Sequence, residues 1–161
     1  LDDTVDDMKA VGETNIAMGL VWGWHVLSPL KPFADGRAYN EKNNQKIIIL
    51  MTDGDNTMND PSGTEDSGSY YGGLGYRWQQ LLGTSTGASR RNDRLKDLCT
   101  NIKAQKIVVY TVRLAVTSSD TTLMNCASDP KTMYFDVKTA SGLEGAFNTI
   151  AGSIADLRLA K

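Results

Sequence analysis

The stretch KIIILMTDG, residues 46–54, governs the reading of the whole chain. Ile47 to Met51 form an uninterrupted apolar run, rich in β-branched isoleucine and bounded by polar residues. Such a run predicts a strand from Lys46 to Thr52 that is buried on both faces, as strands of parallel sheets are. Asp53 leaves this strand at its carboxyl end, and Gly54 permits a tight turn. In a parallel α/β sheet, ligands collect at the carboxyl ends of the strands, which makes Asp53 the first candidate for a functional role. The competing reading is plain: Asp-Gly after a strand is usually only a turn.

Working outward, a second strand of the same kind is expected from Lys106 to Val112 (KIVVYTV) and a shorter one from Met133 to Val137 (MYFDV). Between the first two, Leu95, Leu98, Cys99 and Ile102 are spaced for one buried face of a helix over about Asn92–Ala104. A short helix is expected near Thr121–Ala127. A longer one, about Ser141–Leu157, carries Leu143, Phe147, Ile150, Ile154 and Leu157 at helical spacing. Alternating strands and helices mean an α/β fold with a mostly parallel sheet and right-handed crossovers. Upstream, Thr4–Val11 reads as a short amphipathic helix stopped by Gly12. A second helix, about Asn15–Leu27, is apolar almost all round and is therefore expected to be covered on more than one side. Ser28-Pro29 ends it, because proline disfavours helical backbone in the residue before it.

The bulk numbers fit one domain over 1–161. The chain has 161 residues, 40% apolar and 22% charged, with a net charge of −2. A domain of that size buries about two-thirds of its unfolded surface, so it needs neither metal nor disulfide for a core. No basic face is apparent, which argues against nucleic acid and anionic membrane as partners. No apolar run approaches the roughly 18 residues of a membrane span, so no direct membrane contact is expected here. The opening LDDTVDDMKAVGETN reads as the middle of something longer, and a signal or anchor is expected upstream.

The segment from about 54 to 90 behaves differently. It is rich in Gly, Ser, Thr, Asp and Tyr and shows no periodicity, and loops beyond roughly 12–15 residues are uncommon unless functional or disordered. Tyr70, Tyr71, Tyr76 and Trp78 make it too aromatic for a simple linker. They either pack the insertion onto the sheet, the favoured reading, or form, with Asp55, a surface for a partner.

Thr14 stands at the mouth of the second helix. Most threonines there are N-caps. Set beside Asp53, however, it offers a second hard oxygen at the end of an element, of the kind that divalent cations such as Mg²⁺ prefer. The pairing of G-x-T-N-x-x-x-G-L (Gly12 to Leu20) with an apolar strand ending in Thr52, Asp53 and Gly54 resembles the later two-thirds of a von Willebrand factor A domain. In that family an ion is held by a D-x-S-x-S loop, by a threonine in a second loop and by an aspartate in a third. The resemblance implies a three-layer, Rossmann-like topology, with Thr14 and Asp53 in the second and third roles. More narrowly, GLVWGWHVLSP, the LC…IK…IVVYTVRL pattern, CASDP and the closing AFNTIAGSIADLRL resemble Tad-type (Flp) pilus assembly proteins of the TadG kind. These are membrane-anchored proteins with an extracytoplasmic domain. By that resemblance the chain is a binding module whose partners are other proteins of the pilus assembly system. The implied location, periplasm or cell surface, favours a disulfide between Cys99 and Cys126 over two small buried hydrophobes.

One departure limits the reading. No D-x-S-x-S motif precedes Thr14, so the family's first strand and two of its hydroxyl ligands are missing. The intact domain is expected to hold Mg²⁺ or Mn²⁺, and this chain to bind metal weakly or not at all. The same departure leaves an open sheet edge, which invites dimer formation or a domain swap. A rival calcium loop over Asp53, Asp55, Thr57 and Glu65 has the opening spacing of an EF-hand. It is disfavoured, because Met58 occupies the sharp-turn glycine position. His25, the sole histidine, sits in an apolar helix and reads as a packed residue. Neither cysteine lies in a nucleophile motif and no phosphate-binding glycine loop is present, so the chain is not expected to be an enzyme.

Overall fold

The computed structural model describes residues 4, 6, 7, 14–57, 71–72, 75–76 and 88–159. The helix expected over Thr4–Val11 lies largely outside them. The described elements are α1 (Ile16–Leu27), β1 (Ile47–Thr52), β2 (Tyr71–Gly72), β3 (Gly75–Tyr76), α2 (Ala88–Ala104), β4 (Val108–Leu114), α3 (Thr122–Cys126), β5 (Tyr134–Val137), a turn of 3₁₀ helix at Ala140–Gly142, and α4 (Leu143–Leu159). β1, β4 and β5 form a parallel sheet in the order β1-β4-β5, with Ile47 opposite Val108 and Thr111 opposite Tyr134. The fold is α/β. β2 and β3 make a separate antiparallel pair, Tyr71 opposite Tyr76, inside the long segment whose sequence shows no periodicity.

β4 is the centre of the molecule. Alternate side chains of a strand face opposite sides, and here both sides are covered. Val109 joins Ile16, Leu20, Ile48, Leu95, Ile102 and Leu123 in one core, against α1, α2 and α3. Tyr110 and Val112 pack on the other face beneath Ile150 of α4. Leu95, Ile102 and Val109 are fully buried, and each such side chain removed from water stabilises the fold by about 2 kcal/mol. The strand begins two residues later than its pattern suggests, because Lys106 takes a left-handed φ of 59° and turns the chain out of α2.

Two expectations fail at the margin. β1 is fully covered on one face only: Ile48 and Thr52 are buried, whereas on the other face Ile47 packs against the Tyr110–Ile150 core but Ile49 (41% exposed) and Met51 (50%) are open. Among the described residues β1 pairs only with β4, so it stands at the edge of the sheet. Likewise α1 buries only Ile16 and Leu20, and leaves Trp22 and Val26 about half exposed. Apolar composition reports what a surface is made of, not whether a neighbour covers it.

The opposite end of the sheet is tied by Lys46. Its Nζ donates to the Leu27 carbonyl at 2.5 Å and lies 5.2 Å from the Tyr39 ring centroid, and the Tyr39 hydroxyl accepts from Trp24 Nε1. A cation thus meets the negative end of the α1 dipole. Cys99 of α2 and Cys126 of α3 are joined in a disulfide with a Cα–Cα distance of 5.2 Å, which settles the alternatives left open by their spacing.

Candidate functional site

At its carboxyl end β1 stops in a side-chain-closed turn. Thr52 Oγ1 accepts from the Gly54 N–H and donates to the Gly54 carbonyl at 2.8 Å. This local loop competes with continued strand and turns the backbone aside. Asp53, at the apex, is exposed, and its carboxylate accepts no hydrogen bond from any described residue. Thr14 meets the turn from the α1 side: a Cβ built on Gly54 would lie 3.4 Å from Thr14 Oγ1. The Thr14 hydroxyl therefore stands over the backbone next to Asp53, at the carboxyl end of the parallel sheet.

That hydroxyl is available because it does not cap the helix. Asn15 is the N-cap of α1, its side chain accepting from the Met18 N–H at 3.1 Å. The Thr14 backbone is clamped instead. Its N–H donates to Thr57 Oγ1 at 2.8 Å, its carbonyl accepts from the Thr57 N–H at 3.0 Å, and Arg91 donates to the carbonyls of Thr14 and Thr57.

Below this rim lies a chain of polar side chains, buried at Asn56 and half-buried at Asn92 and Asp120. Asn56, only 5% exposed, accepts the Ile16 N–H through Oδ1 at 2.9 Å and donates through Nδ2 to Asn92 Oδ1 at 2.7 Å. Asn92 Nδ2 donates in turn to Asp120 Oδ2 at 2.5 Å, and Asp120 Oδ1 accepts the Thr122 N–H at 2.6 Å. Burial alone would raise the Asp120 pKa, but the hydroxyl and N–H of Thr122 outweigh it and hold the carboxyl below its ordinary range. A cavity of about 10 Å³ between these groups, also lined by Asp55 and Arg113, is close to the smallest that admits one water.

Arg113 closes the far side. It is 7% exposed and clamps Asp136 with two hydrogen bonds, Nε to Oδ1 at 3.2 Å and Nη2 to Oδ2 at 3.1 Å. Its Nη1 donates to the carbonyls of Ser118 and Asp120. The hydrogen bonds from Arg113, then from Lys138, hold the Asp136 carboxyl below its usual range.

The structure thus brings Thr14 and the Asp53–Gly54 turn together, while Asp55 is drawn away and accepts from Ser118 Oγ at 2.9 Å. Asp55 Oδ1 and Thr57 Oγ1, two oxygens of the calcium-loop reading, each accept a hydrogen bond from the protein, and its Glu65 lies outside the described residues. Tyr71 and Tyr76 are paired strand residues, and Tyr70 and Trp78 lie outside the described residues. His25 packs edge-on to Trp22 at 5.6 Å between ring centroids. Among the described residues no group of three or more His, Cys, Asp or Glu side chains could hold a metal ion, and no helix is long and apolar enough to cross a membrane.

Sequence reasoning missed Asn56, Asn92, Arg113 and Asp120. Two of them left signals. Arg113 is a charge ending an apolar run, and a buried charge demands a partner. Asp120 stands two residues before Thr122, the spacing of an Asx turn. Comparison with protein-family models, with curated proteins and with solved structures finds no match to this chain.

Proposed function

We propose that the chain is a protein-binding module of the von Willebrand factor A kind, from a bacterial Tad-type (Flp) pilus assembly protein. Its binding surface is the rim at the strand ends, with Thr14 and Asp53 as the remnant of an ion-dependent adhesion site. The observation that carries this reading is the Thr14 hydroxyl standing over Gly54, beside an Asp53 carboxylate that no described residue engages. Both donors are hard oxygens and suit Mg²⁺ or Mn²⁺. They are two of the roughly six oxygens that such ions take, so an ion held there would need waters and an acidic side chain of the partner and would bind weakly. A divalent ion, when bound, would supply positive charge at the rim, where Thr14 and Asp53 would hold it. Thr14 and Asp53 orient it, and Asn15 frees Thr14 by taking over the helix cap.

Other features agree with this reading. The disulfide Cys99–Cys126 suits an oxidising, extracytoplasmic location, with membrane attachment through an upstream segment. Among the described residues β1 has a free edge, which suits pairing with a further strand. Calorimetric titration of Mg²⁺ and Mn²⁺ into the full-length protein and its Asp53→Ala variant tests the reading. Equal affinities in the two would remove Asp53 from the site.

A purely structural scaffold is the second reading, favoured by one observation. Trp22, Val26, Leu30 and Phe33 are 46–68% exposed large apolar side chains on α1 and the turn after it, more suited to packing than to ion chemistry. It predicts that chelation leaves partner capture unchanged.

A further inference from the structure

The rim rests on a chain of hydrogen bonds that has a direction. The Ile16 backbone can only donate at its N–H, and an ionised Asp120 can only accept. Between these fixed ends each amide has one workable orientation: Asn56 accepts from Ile16 and donates to Asn92, and Asn92 accepts from Asn56 and donates to Asp120. The links join four segments that are remote in sequence: the start of α1, the turn after β1, the first part of α2, and the loop between β4 and α3. Ile16 is the first residue of α1, so its N–H has no intrahelical acceptor and depends wholly on Asn56. Thr14 lies two residues away and Asp53 three residues before Asn56, and neither belongs to the chain of bonds.

We infer that Asn56, Asn92 and Asp120 are positioning residues for the Thr14–Asp53 rim, acting as a polarised relay that fixes the Thr14 hydroxyl over Gly54 without touching a ligand. The inference deepens the ion-dependent reading above and rests on it for its functional consequence. Groups that orient the ligands of a metal without contacting it commonly change its affinity by about 10–100-fold when removed.

Directionality makes the relay separable from general packing. Asn92→Asp is nearly isosteric, yet it sets two carboxylates against each other where Asn92 now donates to Asp120. Asp120→Asn supplies an amide donor at the other end. In the double variant that amide can donate to Asp at position 92 and still accept the Thr122 N–H through its oxygen. The last link is then reversed but whole.

The test uses two readouts on the purified chain by nuclear magnetic resonance: hydrogen exchange of the Ile16 amide, and the Mn²⁺ concentration that half-broadens the Thr14 and Gly54 amides. Asn92→Asp is expected to accelerate Ile16 exchange and to raise the Mn²⁺ requirement by about tenfold. The double variant is expected to restore both to within about twofold of the parent. Should Asn92→Asp not fold, rescue of folding by the added Asp120→Asn serves as the supporting result. Unchanged Ile16 exchange in a folded Asn92→Asp variant, or a double variant no better than the single, overturns the relay. If Mn²⁺ broadening never localises to Thr14 and Gly54 in the parent, the ion-dependent reading fails, and Ile16 exchange alone still decides the relay.

Discussion

Removing the bond between Cys99 and Cys126 is expected to weaken the fold by several kilocalories. The two cysteines are 27 residues apart, and in the chain-entropy account a closed loop of that length lowers the unfolded chain's entropy by about 12 cal/mol/K, or roughly 3.5 kcal/mol at 25 °C. Strain in the folded state would subtract from this, but the sulfurs sit among Leu95, Ile102, Val109 and Leu123 in the core, at 2% and 1% exposure. Two buried thiols or alanines there would also pack less well, which adds to the loss. Against a typical stability of about 5–15 kcal/mol the loss is large but survivable. With an unfolding slope of about 2 kcal/mol/M, the urea midpoint of Cys99→Ala/Cys126→Ala should fall by nearly 2 M. On heating, the same loss corresponds to a melting temperature lower by about 10 °C. Equilibrium urea unfolding followed by circular dichroism, on the oxidised protein and the double variant side by side, measures it. A midpoint drop below about 0.5 M with an unchanged slope would mean that the bond constrains little that the core does not already hold.

Other perturbations reach the remaining supports. Asp136→Asn leaves the Arg113 guanidinium without its carboxylate; because Asp136 is solvent-exposed and Arg113 keeps the Ser118 and Asp120 carbonyls, the expected loss in urea unfolding is about 1–2 kcal/mol. Because hydrogen bonds depress the Asp136 and Asp120 pKa values in the folded state, their contribution is complete above the unfolded value of about 4 and is lost as pH falls through the lower folded values. The urea midpoint should therefore decline on acidification below about pH 4, and less steeply in Asp136→Asn. Lys46→Met removes the cation at the carboxyl end of α1 and should cost about 1 kcal/mol, with the loss shrinking at high salt in the parent comparison.

Much of the fold can be read directly from the chain, for a definite reason. β4 is covered on both faces, so its IVVYTV run had a single consistent meaning, and α2 declared its buried face through Leu95, Cys99 and Ile102. The edges were not legible. Ile49 and Met51 in β1, and Trp22 and Val26 in α1, look like core residues in composition, but coverage depends on which element lies opposite, and no local pattern encodes that. The approach of Thr14 to the Asp53–Gly54 turn was legible from element ends together with a family resemblance. The substitution of Asn15 for Thr14 as helix cap was not, since both are good caps and tertiary bonding of the Thr14 backbone to Thr57 decides between them. The links through Asn56, Asn92 and Asp120 span 28 to 40 residues each, and single amides in loops carry no pattern by which such pairing could be foreseen.

Whether an ion dwells at the Thr14–Asp53 rim can be read from paramagnetic broadening by Mn²⁺, which reports on an ion even when it binds weakly. On titrating Mn²⁺ into the isotopically labelled chain, the amides of Thr14, Asp53 and Gly54 are expected to broaden first and together, and Asp53→Ala to abolish the effect. Broadening spread evenly over exposed carboxylates such as Asp93 and Glu144, with Thr14 and Gly54 spared, would contradict that expectation.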